Sequence, residues 1–448
     1  MTDNTLKHKL KNRHLQMIAL GAAVGTGLFF GSAKSIHLTG PSIILSYILG
    51  GIIIYIIMRA LGEMTVDNPN SGAFSEYASK YIGPYAGFIS GWSAWFEYTV
   101  VCMVELTAVT IFFDYWIPST SHWLLCLGIL IFFTGINLLS VKMFGEFEFW
   151  FAGIKILAII LMIVFSAYLI FFKNGLNPEI KQYSEISLLF AGGLKGFLMS
   201  LVIVIFSYGG TEFVSIAAAE AENPKKNIPK AINGVIYRII LFYVLTMLVI
   251  ILLYPYQKLA TNISPFVDVY TKIGINLAAS IMNIVAITVA LSAFNSLLYS
   301  GSRILFNMSV RGYAPQFLSR VTKKNHIPKN SILITSFIIL IGVFINYLYP
   351  SNAIMYLLTI ATSAILIMWF IILLTQFYFR KYRAHDIAKI DYKSLFFPYS
   401  NLFAMAMLLL VAGIMMSMDD MKLCVYVAPL WVFILSIFYF FTKKKNSI

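Results

Sequence analysis

A series of apolar segments recurs along the whole chain and limits its fold more than any other feature. A helix needs about 20 mostly apolar residues to cross the hydrocarbon core of a bilayer. The sequence holds roughly twelve such segments, near 15–35, 42–62, 85–113, 122–140, 149–172, 193–218, 234–254, 277–307, 331–349, 353–377, 401–418 and 424–441. The sequence therefore predicts an all-α polytopic membrane protein with about 12 transmembrane helices.

Composition excludes a soluble protein and argues against nucleic acid as a partner. Hydrophobic residues make up 59% of the chain and charged residues only 12%, which would leave a soluble surface strongly apolar. The formal net charge is +14, but the basic residues lie in short segments between apolar runs and form no single stripe. We therefore expect the chain to reside in a lipid bilayer, with no nucleic acid bound.

The motifs of several other protein classes are missing from the sequence. The three cysteines have no CxxC or Cys/His spacing, so neither a metal site nor a disulfide framework is predicted. No Walker A sequence and no Ser/His/Asp cluster is recognisable. The N-terminal region is basic and leads into a long apolar segment without a small-residue cleavage site. We expect no cofactor, no enzymatic activity, no ATP-driven transport by this chain alone and no cleaved signal peptide.

The basic residues indicate the orientation in the membrane. Positive residues concentrate in cytoplasmic loops. Here they follow the sixth, eighth, tenth and twelfth spans, which places them on the same side as the N-terminus. The residues are Lys225, Lys226, Lys230, Arg311, Arg320, Lys323, Lys324, Arg380, Lys381, Arg383 and Lys443 to Lys445. This pattern predicts that both termini are cytoplasmic.

Two spans carry helix breakers at corresponding positions. The first span contains three glycines within residues 21–27, and the sixth contains Gly209 and Gly210 within 207–211. Each glycine costs about 1 kcal/mol in a helix interior, and a broken helix at membrane depth is tolerated where it lines a cavity. Matched breaks in two halves indicate a transporter site built on inverted repeats. Close helix packing through small residues is the alternative.

Several long motifs resemble one family of membrane proteins. They are LKNRHLQMIALGAAVGTGLFFGSA, GPSIILSYILGG, MRALGEM, SVKMFGEFEFWFAGIKI, FSYGGTE, EAENPKKNIPKAI, SPF and ALSAFNSLLYSGSRIL. In this order they resemble the amino acid, polyamine and organocation superfamily, in particular its bacterial branch of aromatic, proline, histidine, lysine and GABA permeases. The resemblance implies a multi-pass permease of the bacterial cytoplasmic (inner) membrane.

The resemblance also implies a LeuT-like fold, in which five plus five inverted helices are followed by two appended helices. The first repeat would span 15–172, the second 193–377 and the appended helices 401–441. Short cytoplasmic tails would lie at 1–14 and 442–448. The substrate would bind between the broken first and sixth helices.

An amino acid carries a carboxylate and an ammonium group in a fixed relation, so backbone groups at the two breaks can bind both. Backbone N–H groups and the positive end of a helix dipole suit the carboxylate. We assign this role to Val24, Gly25, Thr26 and Gly27. Carbonyl groups left free near the second break suit the ammonium, and the residues there are Phe206, Ser207, Gly209 and Gly210.

The Phe206 side chain resembles the aromatic gate that closes over the substrate in this family. A plain core or lipid-facing aromatic is the alternative.

Ionisable residues inside the spans each need a partner or a purpose, because an isolated charge at the bilayer centre costs on the order of 3 kcal/mol. Lys155 resembles the fifth-helix lysine that replaces a bound cation in sodium-independent members. Ser292, Asn295 and Ser296 are expected either to accept hydrogen bonds from it or to hold helices together. Glu212 resembles an acidic residue involved in proton handling, and a permanent ion pair is the alternative for Glu212 and for Lys155. Arg303 is a further intramembrane charge.

The third span offers candidates for specificity at Glu97, Cys102 and Glu105. The two glutamates are eight residues apart and share roughly one helix face. Glu97 either favours a cationic or imino group or pairs with a neighbouring helix. Arg59 and Glu63, four residues apart on the second span, are predicted to form a local ion pair.

The predicted function is proton-coupled uptake of an amino acid by a symporter, with proline or another neutral amino acid preferred. The pair Phe96 and Glu97 resembles proline-type permeases, whereas the segment 105–109 resembles aromatic-type ones. An aromatic, histidine or cationic amino acid permease and a non-transporting amino acid receptor are the alternatives.

Overall fold

The computed structural model of the protein describes residues 24–69, 73–118, 121–139, 141–173, 177, 189–212, 224–261, 263–323, 325–350, 352–387, 390–419 and 421–445. Over these residues the regular structure is helical. The α-helices are α1 (Ser32–Thr39), α2 (Ile43–Asp67), α3 (Ala73–Tyr81), α4 (Pro84–Phe113), α5 (His122–Leu139), α6 (Val141–Phe172), α7 (Gly193–Ser207), α8 (Pro224–Arg238), α9 (Leu245–Leu253), α10 (Pro265–Lys272), α11 (Asn276–Val310), α12 (Lys329–Leu348), α13 (Ala353–Tyr382), α14 (Tyr399–Met416) and α15 (Lys422–Lys445). A π-helix at Gly27–Gly31 leads into α1, and another at Ile239–Val244 joins α8 to α9.

The helices confirm the prediction of an all-α polytopic membrane protein. Within the described residues, nine helical segments are long and apolar enough to cross a membrane, and the apolar helices Gly193–Ser207 and Tyr426–Phe441 are shorter. One of the nine segments, Gly27–Asp67, covers both α1 and α2. Gly40 separates these two helices with a φ of 65°, and Pro41 follows it. The grouping of the helices into two inverted repeats stays a prediction.

Helix α4 forms the centre of the bundle, whereas α6 lies at its edge. In the most apolar part of α4, 78% of the residues are buried, against 22% in α6. Helix α4 packs on α11, α13, α3, α12 and α5. On α6 the side chains of Leu157, Leu161, Val164 and Phe171 are exposed. An apolar exposed face of this kind is stable only against lipid, so α6 presents one face to the bilayer and one to the core.

The second predicted break is present, and the described part of the first, from Val24, faces it; residues 15–23 of the first predicted span lie outside the described part. The described chain enters the first break at Val24 and Gly25 and becomes helical at Gly27. Helix α7 ends at Ser207, and a turn follows in which Gly210 has a φ of 90°. The predicted sixth span continued to residue 218, but its helix stops at Ser207, and residues 213–218 lie outside the described part. A left-handed φ strains any residue with a Cβ atom, which explains why glycine stands in this turn.

Candidate functional site

The two breaks and three neighbouring helices surround a cavity. The cavity volume, measured as the space open to the centres of water molecules, is about 30 Å³. This volume is enough for one or two water molecules. Its walls are formed by Gly25, Gly27, Glu97, Val101, Glu105, Phe206, Ser207, Gly209, Gly210, Ala293, Ser296, Leu297 and Ile365. Both breaks thus line one cavity, together with residues of α4, α11 and α13.

Glycines in the first break allow the backbones to approach closely. A Cβ atom on Gly27 would lie 2.5 Å from the Cα atom of Ser207, and one on Gly25 would lie 3.2 Å from the Glu105 carboxyl. The first contact is far below van der Waals distance and involves backbone, which cannot move aside easily. The close approach of Gly27 to Ser207 therefore depends on the missing side chain.

The carboxyl group of Glu105 lies at the start of the first-break helix. Its Oε1 atom accepts hydrogen bonds from the Thr26 hydroxyl at 3.0 Å and from the Thr26 backbone N–H at 3.4 Å. An N-terminal helix end favours a negative group through its unpaired N–H groups and its dipole. The structure thus places an acidic side chain at the position predicted for a substrate carboxylate. Val24 is buried in the apolar core and is not part of the cavity wall.

The prediction that the carbonyls of the second break are left free is wrong for two of them. The Phe206 carbonyl accepts from the backbone N–H of Gly209 at 3.0 Å. The Ser207 carbonyl accepts from the Tyr243 hydroxyl at 2.8 Å. The turn and a π-helical tyrosine satisfy them, because a buried carbonyl without a partner is costly. Each carbonyl oxygen still has a second lone pair that can accept from another donor.

The Phe206 side chain lies on the cavity wall and is 5% exposed. It is not a lipid-facing residue. Its predicted role as a gate requires motion and stays a prediction.

Glu97 and Glu212 come together beside this cavity. Glu97 lies on α4 and Glu212 in the turn after α7, and both side chains are buried. Their carboxyl groups lie within hydrogen-bonding range of each other, and the Trp369 indole lies beside Glu212. The backbone N–H of Gly210 also donates to Glu212, at 3.1 Å. The second break therefore meets a pair of carboxyl groups, one from the turn itself and one from α4. The sequence motifs did not indicate Trp369 as a neighbour of this pair.

Lys155 is fully buried and donates to the Ser292 hydroxyl at 3.0 Å. Ser292 in turn donates to Glu148 at 2.7 Å. Asn295 does not join this group, because its amide oxygen accepts from Asn137 of α5 at 3.1 Å. Sequence reasoning missed Glu148, although it lies seven residues before Lys155, which places both on the same face of α6.

Ser296 lies on the cavity wall. Of the three predicted residues Ser292, Asn295 and Ser296, Ser292 thus accepts a hydrogen bond from Lys155.

Arg59 and Glu63 have different partners in the structure. The predicted ion pair of Arg59 and Glu63 is wrong. The Arg59 guanidinium lies over the Tyr392 ring at 3.9 Å, while Glu63 pairs with Arg380 of α13. Longer-range partners displace the local pair because the end of α2 is covered by α13 and the segment that follows it.

Cys102 is fully buried, and its thiol donates to the Phe294 carbonyl at 3.7 Å. It is not among the described residues of the cavity wall, so the structure gives it no contact with a substrate there. Arg303 folds over the ring of Tyr299 on its own helix. Over the described residues, no group of three or more His, Cys, Asp or Glu side chains is arranged to hold a metal ion.

Comparison with known proteins agrees with this architecture. Residues 14–447 match the amino acid permease family. The chain is 41% identical over 441 residues to the aromatic amino acid transport protein AroP of Escherichia coli K12, covering 98% of this chain and 96% of AroP. It is 40% identical over 448 residues to YtnA, an uncharacterized amino acid permease of Bacillus subtilis, covering 99% of this chain and 96% of YtnA. A cavity lined by glycines of the first and sixth spans, a polytopic helical fold and these relatives together show that the chain belongs to the amino acid permease family.

Proposed function

We propose that this permease carries an aromatic amino acid into the cell together with protons. The observation that supports this most directly is the cavity between the two helix breaks. Its wall combines polar groups, among them Glu105 and the first-break backbone, with apolar side chains. An amino acid with an apolar side chain can contact both kinds of group.

The choice of an aromatic substrate replaces the preference for proline drawn from sequence motifs. Relatives at 41% and 42% identity are named as aromatic amino acid transport proteins. The apolar part of the wall consists of Val101, Phe206, Leu297 and Ile365. These side chains can pack against an aromatic ring. A ring needs more room than the present cavity gives, so binding would require the wall to open.

A histidine or cationic amino acid is a second candidate. Glu97 and Glu105 both line the cavity, and a carboxylate pairs well with a cationic side chain in a buried site.

Substrate recognition would use both breaks. The substrate carboxylate would bind the backbone N–H groups at residues 25–27, where Glu105 now accepts from Thr26. The substrate ammonium would donate to the second lone pairs of the Phe206 and Ser207 carbonyls. Entry of the substrate carboxylate would therefore favour a neutral Glu105, because two negative groups at one helix end repel each other.

Lys155 supports a sodium-independent mechanism. Its ammonium joins α6 to α11 through Ser292. In this position it would supply the positive charge that a sodium ion would otherwise provide. The coupled ion would then be a proton, carried by the buried carboxyl groups and Lys155.

The basic loops support an orientation with both termini cytoplasmic, and the relatives support a bacterial cytoplasmic membrane.

Uptake into proteoliposomes tests the proposal. An inward proton gradient without sodium should drive accumulation of labelled phenylalanine. Unlabelled Phe, Tyr and Trp should compete, whereas Pro, His and Lys should compete weakly. Competition by His or Lys alone would favour the second candidate, and accumulation only with a sodium gradient would refute proton coupling. Binding without any uptake would indicate a receptor.

A further inference from the structure

A line of hydrogen-bonded groups leaves the cavity region along α6. Lys155 donates to the Ser292 hydroxyl, and Ser292 donates to Glu148. The donors thus all point the same way, from the ammonium to the carboxyl group. A serine hydroxyl in this arrangement can accept a proton on one side while it gives one up on the other.

We propose that Glu148 accepts the transported proton on its way to the cytoplasm and receives it from Lys155 through Ser292. This inference rests on the proposed proton-coupled function. In the transfer, the Lys155 ammonium gives a proton to the Ser292 oxygen, and the Ser292 hydroxyl proton passes to Glu148. An ammonium and a carboxylate become a neutral amine and a neutral carboxylic acid, so charge and atoms balance.

The position of Glu148 along α6 fits a path toward the cytoplasm. Seven residues at 1.5 Å per residue separate Glu148 and Lys155 by about 10 Å along the helix axis. Side chains of a helix lean toward its N-terminus, so Lys155 reaches back toward Glu148. In the proposed orientation the N-terminus of α6 is cytoplasmic. Glu148 therefore lies between Lys155 and the cytoplasmic face.

At the other end of this line, Lys155 lies near enough to the cavity-lining Glu105 for the two charges to interact electrostatically. Around Glu148 the ionisable neighbour is Lys155, and α11 contributes the hydroxyls of Ser292 and Ser296. Helices α5 and α9 also pack on α6, but they carry no Asp, Glu, Lys or Arg. A proton that leaves Lys155 on this side thus has Glu148 as its acidic acceptor among the described residues.

Glu148 is fully buried, and the hydroxyls of Ser292 and Ser296 lie close to its carboxyl group. A serine hydroxyl can donate to a carboxylate and can accept from a carboxylic acid. The two hydroxyls can therefore accommodate Glu148 both before and after it takes up a proton. Release to the cytoplasm would then require water to reach the Glu148 carboxyl when the inward side opens.

The decisive experiment separates proton movement from substrate movement. Full-length protein in proteoliposomes is assayed for accumulation of labelled phenylalanine driven by a pH gradient. It is also assayed for counterflow, the exchange of labelled for unlabelled phenylalanine at equal pH, which needs no net proton transfer. A pH-sensitive dye inside the vesicles reports proton entry.

We expect Glu148→Gln to reduce gradient-driven accumulation and proton entry by about 100-fold, the usual cost of removing a proton-transfer group, while counterflow continues. Ser292→Ala should show the same separation, because it removes the relay without changing any charge. Glu146→Gln is the matched control: it lies two residues away on α6, is partly exposed and should keep both activities.

Normal accumulation by Glu148→Gln would overturn the proposal. Parallel loss of counterflow in both Glu148→Gln and Ser292→Ala would also overturn it, since that pattern indicates a structural brace. If the unmodified protein shows counterflow but no response to a pH gradient, the proposed function itself fails, and this inference fails with it.

Discussion

Glu105 on α4 accepts hydrogen bonds from both the hydroxyl and the backbone N–H of Thr26. This contact ties the first break to the most buried helix of the bundle. Because the cavity wall includes Glu105, any change in its protonation or position acts directly on the first break.

Replacement of Thr26 by Val should reduce uptake. Valine has the shape of threonine but no hydroxyl, so Glu105 loses its shorter hydrogen bond. A hydrogen bond of this kind contributes about 0.5–1.5 kcal/mol, which corresponds to a loss of roughly 2-fold to 10-fold. The initial uptake rate in proteoliposomes, normalised to reconstituted protein, measures this. Thr26→Ser keeps the hydroxyl and should transport nearly normally; equal activity of the two variants would contradict the assigned contact.

Replacement of Gly27 by Ala should abolish uptake. The new Cβ atom would lie 2.5 Å from the Cα atom of Ser207, so the two breaks must separate. Overpacking of this kind typically costs about 1–3 kcal/mol. Gly413→Ala is the control, because among the described residues no side chain and no other helix lies within 4 Å of a Cβ atom there. Normal uptake by Gly27→Ala would show that the breaks do not need to approach closely.

The second break depends on glycine for a different reason. Gly210 has a φ of 90°, so Gly210→Val should strain the turn and stop uptake even where space is available. Uptake and the amount of protein in the membrane should be measured together. A Gly210→Val protein that reaches the membrane and transports normally would mean that the substrate does not bind at this turn.

Removal of Glu63 should destabilise the protein more than removal of an exposed charge. Glu63 is fully buried and pairs with Arg380, and it also accepts from the backbone N–H of Ser394 at 2.9 Å. Breaking a buried pair costs about 3–5 kcal/mol, because the remaining charge is left without a partner. Glu63→Ala should therefore clearly lower the midpoint temperature of thermal unfolding, measured in detergent.

The control for Glu63 is Lys225→Ala. Lys225 and Asp391 form a pair at 3.8 Å, and both side chains are largely exposed. Such pairs contribute about 0–1 kcal/mol, so the midpoint should hardly change. Similar midpoints for Glu63→Ala and Lys225→Ala would show that the buried pair does not stabilise the fold.

The orientation can be tested with single cysteines at exposed loop positions. Lys381 and Lys258 are both exposed, and the basic loops predict that Lys381 is cytoplasmic and Lys258 external. In a background without Cys424, a membrane-impermeant thiol reagent should label Lys258→Cys from outside intact cells and label Lys381→Cys only after lysis. The buried Cys102 and Cys126 should give little background. External labelling of Lys381→Cys would invert the orientation.

Local properties of the chain were sufficient to predict the helices and the break in the sixth span. A spanning helix depends on about 20 consecutive apolar residues and on hydrogen bonds within one segment. Gly27 and Gly210 could therefore be recognised from neighbouring residues alone. The position of Lys155 on the fifth span is likewise a property of one helix.

The partners of the polar residues were decided by tertiary packing. Arg59 and Glu63 are well spaced for a local pair, yet Glu63 binds Arg380, and Arg59 lies over Tyr392. Asn295 binds Asn137 of another helix. These contacts join residues that are far apart in sequence, and they depend on which helix faces meet. A buried polar group takes the partner that lies nearest in the packed bundle, because leaving it unsatisfied costs more than giving up a local contact.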